Sequence, residues 1–305
     1  ADRSMLLAAF ETIQARCWDA LRAAAEPGSA PPSNAVATSQ PLDGLGPSRV
    51  YLQELEQAFT DVDLEELGAT WDTVLGIYTQ MMQDHVKRTL GLHRRRVEAY
   101  LVAFESGSCI KQLAVSEQFS PYQLARMLVE EWYRKHKGEQ LHKKGISRLM
   151  RYPERIEDER LRLCVADCID SDPCLSPFHD RLREAAGEEY EFILERKLRC
   201  LGVAFQSEHQ LRKLGMAKTP DVKLDVPIGV RRRDGSTMAL HWIDSKAMFG
   251  SPSSHRQNRA QFEGYVNRFG PGLVLYWFGF VEELDVDPTV LLLQDLPSEL
   301  VVLGS

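Results

Sequence analysis

Residues 240 to 249 read LHWIDSKAMF, where Asp244 and Lys246 close an apolar run that holds Trp242 and Ile243. Side chains alternate across a strand, so a strand here points Asp244 and Lys246 to one face and Ser245 to the other. A second acid, Asp221, precedes the β-rich run VKLDVPIGV, and Asp234-Gly235 between the two runs is a hairpin signal. The runs then pair antiparallel, with Asp221 opening one strand and Asp244 closing the other at the same end. Pro227 cannot donate a ladder hydrogen bond, so its strand bulges or lies partly at an edge. Two carboxylates and an ammonium at a strand end are costly, because unpaired buried charge is avoided. A divalent cation removes that cost, and magnesium prefers carboxylate oxygens while keeping several waters. Such an ion activates a water and neutralises charge building on a phosphate. A lysine beside it holds the water or stabilises the pentavalent phosphorus.

The elements around these residues divide the chain. Its 305 residues suffice for two domains, and a hydrophobic fraction of 44% provides a core. The net charge of −7 gives no bulk sign of a nucleic-acid binder. The distribution does: from His85 to Arg151 there are 14 Lys or Arg against 6 Asp or Glu, a basic region inside an acidic chain. No apolar run has the length of a membrane span, and no signal peptide is evident. Six scattered cysteines fit free thiols in a reducing, intracellular compartment. Cys164, Cys168, Cys174 and His179 lack the paired spacing of a structural zinc site, so they read as buried or half-buried thiols.

Helical periodicity covers 4–24, and the stretch from 26 to 48 has the Pro, Gly, Ser and Ala bias of a loop or disordered insert. Helices are then expected over 50–66, 69–90, 92–106, 109–116, 121–136, 140–150 and 158–169. Ser120-Pro121 supplies an N-cap and a first-turn proline, and the pair of helices around it has the layout of a helix-turn-helix. Arg126, Arg134, Lys135 and Lys137 on or after the second helix either contact phosphates or form a solvated face. HRRR at 93–96 is a short patch that reads as a solvated helix start. After about residue 184 the order becomes helix (GEEYEFILERKLRCLG), strand, strand, helix (RQNRAQFEGYVNRF), strand. Tyr276, Trp277 and Phe278 belong to a core strand rather than to a stacking platform. His241 points away from Asp244 by alternation, whereas His255 and Arg256, in the loop after the site, reach toward substrate phosphate.

The ordered set TPD (219–221), then 22 residues, then DSK (244–246) resembles the PD-(D/E)XK nuclease signature. The resemblance implies Asp221 and Asp244 as metal ligands and Lys246 as the catalytic lysine. Such nucleases place a further acid on a preceding helix, for which Glu191 is the first choice and Glu189 the second. The Q-x-x-x-Y of the RecB-like branch is matched by QFEGY, with Gln261 and Tyr265 one helical turn apart. Gln261 would orient the site, and Tyr265 would join the nucleic-acid contacts. The segments TPDVKLDVPIGV, HWIDSKAMFG, RFGPGLVLYWFGF and SPYQLARMLVEEW closely resemble the codanin-interacting nuclease family, from about residue 75 to the C-terminus. That family carries Glu at the position of Asp244. The shorter acid keeps a metal site plausible and alters metal preference or rate.

Composition and resemblance together imply an α+β multidomain chain. It comprises an N-terminal helix at 1–25, a Pro/Ser/Ala-rich linker or insert at 26–49 and an all-α helical region with helix-turn-helix character at 50–183. A restriction-endonuclease-like α/β domain with a central mixed sheet, similar to archaeal Holliday-junction resolvases, follows at 184–305. The implied activity is a magnesium- or manganese-dependent nuclease on structured DNA. The implied partner is codanin, with links to chromatin assembly and red-cell development, in nucleus and cytoplasm. A second expectation is a weak or inactive adaptor on a nuclease scaffold that binds codanin or nucleic acid. A third is a sequence-specific DNA-binding factor working through the helix-turn-helix.

Overall fold

The computed structural model describes residues 4–25, 55–172, 174–297 and 301–302. The insert expected at 26–49, and the first residues of the helix expected from 50, lie outside the described residues. The chain is α+β. Its elements run β1 (Ser4–Met5), α1 (Leu7–Ala25), α2 (Asp61–Glu66), α3 (Trp71–Arg95), α4 (Val97–Glu105), α5 (Ile110–Ser116), α6 (Pro121–Lys137), α7 (Lys143–Arg151) and α8 (Glu159–Ser171). They continue α9 (Pro177–Cys200), β2 (Phe205–Ser207), α10 (Glu208–Lys213), β3 (Val222–Arg231), β4 (Thr237–Lys246), α11 (Pro252–Phe269), β5 (Gly272–Tyr276), β6 (Phe280–Val281), β7 (Val290–Leu293) and β8 (Val301–Val302). Among the described residues no helix is long and apolar enough to cross a membrane.

Two compact units form. One comprises residues 14–60 and 78–182, the other 1–13, 61–77 and 183–305. The first is helical and is organised around α6. Ser120 caps this helix by accepting from the Gln123 amide at 3.0 Å, and Pro121 fills the first turn, where no N–H is needed. Buried Asp172 reinforces the same end: one carboxylate oxygen takes the Tyr122 amide and the Ser120 hydroxyl, the other the Cys174 and Leu175 amides. An anion there satisfies orphan amides and opposes the positive end of the helix dipole. Leu124, Leu128 and Val129 are wholly buried, packed with Leu101 of α4, Ile110 and Ala114 of α5, Ile146 and Met150 of α7 and Leu161 and Val165 of α8.

The second unit holds a mixed sheet in the order β2-β3-β4-β5-β7, with β8 also pairing β3. Strands β2, β3 and β4 are antiparallel neighbours, while β4, β5 and β7 run parallel. The register of β3 shifts between Lys223 and Ile228, around Pro227, whose missing N–H cannot continue the ladder. Helix α9 covers one face, setting Leu194 and Leu198 on Val222, Leu240, Ile243 and Leu273. Helix α11 covers the other, setting Phe262 and Tyr265 on Trp242, Val274 and Tyr276. Both helices start earlier than their apolar periodicity indicates. Helix α9 opens at Pro177 after Ser176, which accepts from the His179 amide at 3.3 Å. Helix α11 opens at Pro252 after a capping box of Ser251 and Ser254. Arg256, and His255 before it, therefore lie on a helix and not in the expected loop.

The parallel pairing of β4 with β5 sets the strand end that carries the acids. Trp242 lies opposite Gly272 in the register and is fully buried. Its indole nitrogen donates to the Gly270 carbonyl at 2.8 Å, so the ring lies across the start of β5. A Cβ at Gly272 would stand 2.0 Å from the ring, closer than any real contact. Gly272→Ala is therefore expected to cost about 3 kcal/mol, the upper range of overpacking. Denaturant unfolding measures it, and adding Trp242→Leu should return part of the loss. An additive double variant would count against this account.

Candidate active site

Asp244 sits near the C-terminal end of β4 and is 1% exposed. Neither of its oxygens has a hydrogen-bond partner among the described residues. Its compensation is an ion pair, with Lys246 Nζ 2.6 Å from Asp244 Oδ2. Alternation puts both on the face toward α11, as the sequence implies. Ser245 points to the opposite face, where its hydroxyl accepts from the Trp277 indole at 2.8 Å. Asp221, just before β3, reaches across the hairpin end and accepts from the Ser245 amide at 2.6 Å. The two acids thus meet through one residue of backbone.

Glu191 approaches from α9 at the exposed rim of a cleft of about 170 Å³, which Asp221 also lines. A fourth acid, Glu208, lines the same cleft and was not marked by the motif. It begins α10, its amide donates to the Asp221 carbonyl at 2.8 Å, and its carboxylate takes Arg212 at 2.7 Å. The signal in the sequence was Ser207-x-x-Gln210, a capping box that starts a helix at Glu208. Glu189 lies two residues before Glu191 on α9 and does not line the cleft. A larger cavity of about 590 Å³ lies between α11 and residues 283–290. It contains none of these acids; the smaller cleft is lined by Glu191, Glu208 and Asp221, while Asp244 and Lys246 lie outside its lining.

The electrostatics express crowding. Burial pushes the Asp221 carboxyl well above the usual carboxylate range, and Asp244 adds to it. Asp244 is raised by burial too, opposed by Lys246 and the nearby Tyr265 hydroxyl. Glu191 is raised by partial burial, by Glu208 and by Asp244. Burial would lower Lys246, but Asp244, Asp221 and Glu191 outweigh it and hold the ammonium charged.

The other expected residues fall in three places. Gln261 is exposed on α11, and its amide donates to the Tyr265 hydroxyl at 2.6 Å. Tyr265, expected to meet nucleic acid, is 3% exposed and donates to the Thr219 carbonyl at 2.8 Å. It therefore holds the turn that presents Asp221, and its ring packs edge-on to Trp242. Arg256 is exposed on the second turn of α11. His255 turns inward, within 3.1 Å of the Tyr276 hydroxyl, and is not aimed at solvent.

The third place is α6. It is exposed only over its last turn, so it offers no open N-terminal face of the kind a groove-reading helix needs. The basic residues of that turn are already paired: Arg134 with Glu131 and Glu98, Lys135 with Glu105, Lys137 with Glu157. Arg126 instead contacts the Ser147 hydroxyl at 3.3 Å.

Fold and site thus define an α+β protein whose mixed sheet carries paired acids and a lysine at one strand end. A family model described as a protein of unknown function with a TPD sequence motif matches residues 157–296, which include Thr219-Pro220-Asp221. The chain is 37% identical to CDAN1-interacting nuclease 1 of Xenopus tropicalis, over 86% of either protein. It is 35% identical to the protein of that name from Bos taurus and 34% to that from Homo sapiens, each over 87% of this chain and 94% of the relative. The chain belongs to the CDAN1-interacting nuclease 1 family. No solved structure matches it.

Raised carboxyl pKa values favour the protonated, folded chain. Their stabilisation is complete below the unfolded value near 4 and is lost as pH rises through the folded values. In chelator, the melting temperature should therefore fall between about pH 4 and neutrality. Asp221→Asn, which removes one charge and retains an acceptor for the Ser245 amide, should flatten that fall and raise the neutral melting temperature. An Asn variant that melts lower at neutral pH would contradict the charge-crowding account.

Proposed function

We propose that this chain is a divalent-cation-dependent nuclease of the PD-(D/E)XK type, hydrolysing phosphodiester bonds of DNA, with structured DNA as the preferred class. The observation that carries the reading is Asp244: a buried carboxylate without a hydrogen-bond partner, beside Lys246 and one residue of backbone from Asp221. The relatives' name, which gives them a nuclease activity and CDAN1 as partner, supports the same reading for this chain and makes CDAN1 its expected partner.

The donor set fits magnesium or manganese in kind. Every available atom is a hard carboxylate oxygen, and both oxygens of Asp244 are buried without a hydrogen-bond partner among the described residues. Among the described residues no three His, Cys, Asp or Glu side chains are already arranged around one point, so the fit is one of chemistry. Asp221, Asp244 and Glu191 would hold the ion. When bound, it supplies charge neutralisation and a water of lowered pKa. The chain's own residues do the remainder. Lys246, kept charged, donates to a phosphate oxygen or to the attacking water. Tyr265 fixes the turn under Asp221, and Gln261 fixes Tyr265.

The reading is tested on linear and branched DNA with magnesium or manganese. Asp221→Asn, Asp244→Asn and Lys246→Ala should each reduce cleavage by about 100-fold or more, the usual cost of one preorganised electrostatic group. Equal cleavage by these variants would sink it. One observation favours the adaptor reading: Lys246 already neutralises Asp244 without any ion. That reading gains if neither cation raises the melting temperature, since a ligand that binds only the folded state must raise it.

A further inference from the structure

The basic region has one face that its ion pairs do not use. From His142 to Arg155 the chain carries five Lys or Arg and a single acid, Glu154. Helix α7, Lys143–Arg151, lies inside this stretch. At about 100° per residue, Lys143, Lys144, Arg148 and Arg151 fall within an arc of about 140°. Ser147 sits inside that arc. Ile146 and Met150 fall outside that arc, Met150 next to its Lys143 edge, and are buried against the helical core at 3% and 1% exposure. All four cations are exposed. None of them makes an ion pair or a side-chain hydrogen bond among the described residues.

Exposed Arg94 and Arg95 at the end of α3 are likewise without an ion pair among the described residues, whereas other cations of this unit are engaged. Arg96, Lys111, Arg134, Lys135 and Lys137 each meet a carboxylate. Arg126, also without a carboxylate, lies against Ser147 and so extends the open arc onto α6. We propose that the outer face of α7, with Arg126 beside it, is a docking surface for the phosphate backbone of nucleic acid. The proposal deepens the nuclease reading by naming where substrate is held outside the acidic cleft.

Charge complementarity selects this occupant. Clustered cations that have no internal partner can release condensed counterions from a polyanion, whereas paired ones must first break their own bridges. An anionic membrane is disfavoured because an interfacial helix inserts an apolar face, and that of α7 is already buried. The expected contact is with backbone rather than base edges, since Lys and Arg heads on one helix face position without reading sequence.

The test is fluorescence anisotropy of the whole chain with a labelled DNA duplex, in chelator, across a potassium chloride series. The variant Lys143→Gln/Lys144→Gln/Arg148→Gln/Arg151→Gln should weaken binding about tenfold or more and make the salt dependence shallower by about 3 in log–log slope. Arg148→Lys/Arg151→Lys keeps the charges and should keep both affinity and slope, which separates loss of charge from loss of fold. Arg134→Gln/Lys135→Gln should change either little. Unchanged affinity and slope in the quadruple variant overturn the proposal. So does a loss confined to the Arg134/Lys135 variant, or a quadruple variant that fails on phosphatidylserine vesicles while holding DNA. The readout is metal-free, so binding with the expected slope assigns the surface even for a chain that never cleaves.

Discussion

A buried carboxylate held by a neighbouring lysine is the constraint on which the acid-bearing end of the sheet depends. Asp244 can stay ionised at the end of β4 only because Lys246, two residues on, is carried to the same face. That face is set by the parallel pairing of β4 with β5, where Asp244 lies opposite Val274 and Lys246 opposite Tyr276. The pairing in turn depends on a glycine, because Trp242 lies across Gly272. Asp221 is brought in by the antiparallel partner, and Tyr265 of α11 pins the turn before it. Sheet register, one glycine and one tyrosine hydroxyl thus converge on a single ion pair.

The sequence carried the parts of this that are local. Alternation gives the shared face of Asp244 and Lys246, and Asp234-Gly235 gives the hairpin that brings Asp221 to them. Ser120-Pro121 marks the start of α6. The same signature at Ser176-Pro177 and Ser251-Pro252 starts α9 and α11 and was masked there by weak apolar periodicity in the first turns. Glu208 was not legible as a member of the acidic cleft. It gets there through the short pairing of β2 with β3 and an amide bond to the Asp221 carbonyl, neither of which has a strong pattern.

The basic region shows the opposite failure, in which residue type was legible and availability was not. Arg134 and Lys135 look like phosphate ligands in the sequence, yet their partners Glu98 and Glu105 lie 36 and 30 residues earlier in the chain. Only folding reveals that these charges are spent. Helix α6 has the capping and spacing of a recognition helix and is used as a core helix, with Leu124 and Leu128 fully buried. A helix engaged on nearly every side has no face left to read a groove.

The pairing of Lys246 with Asp244 has a consequence for how the protein tolerates its surroundings. In small zinc domains the ion is part of the folding free energy, and chelation unfolds them. Here an internal cation, covalently part of the same strand, already stands against a fully buried carboxylate. The fold carries its own counter-ion. Such a chain is expected to keep its fold when divalent ions are withdrawn.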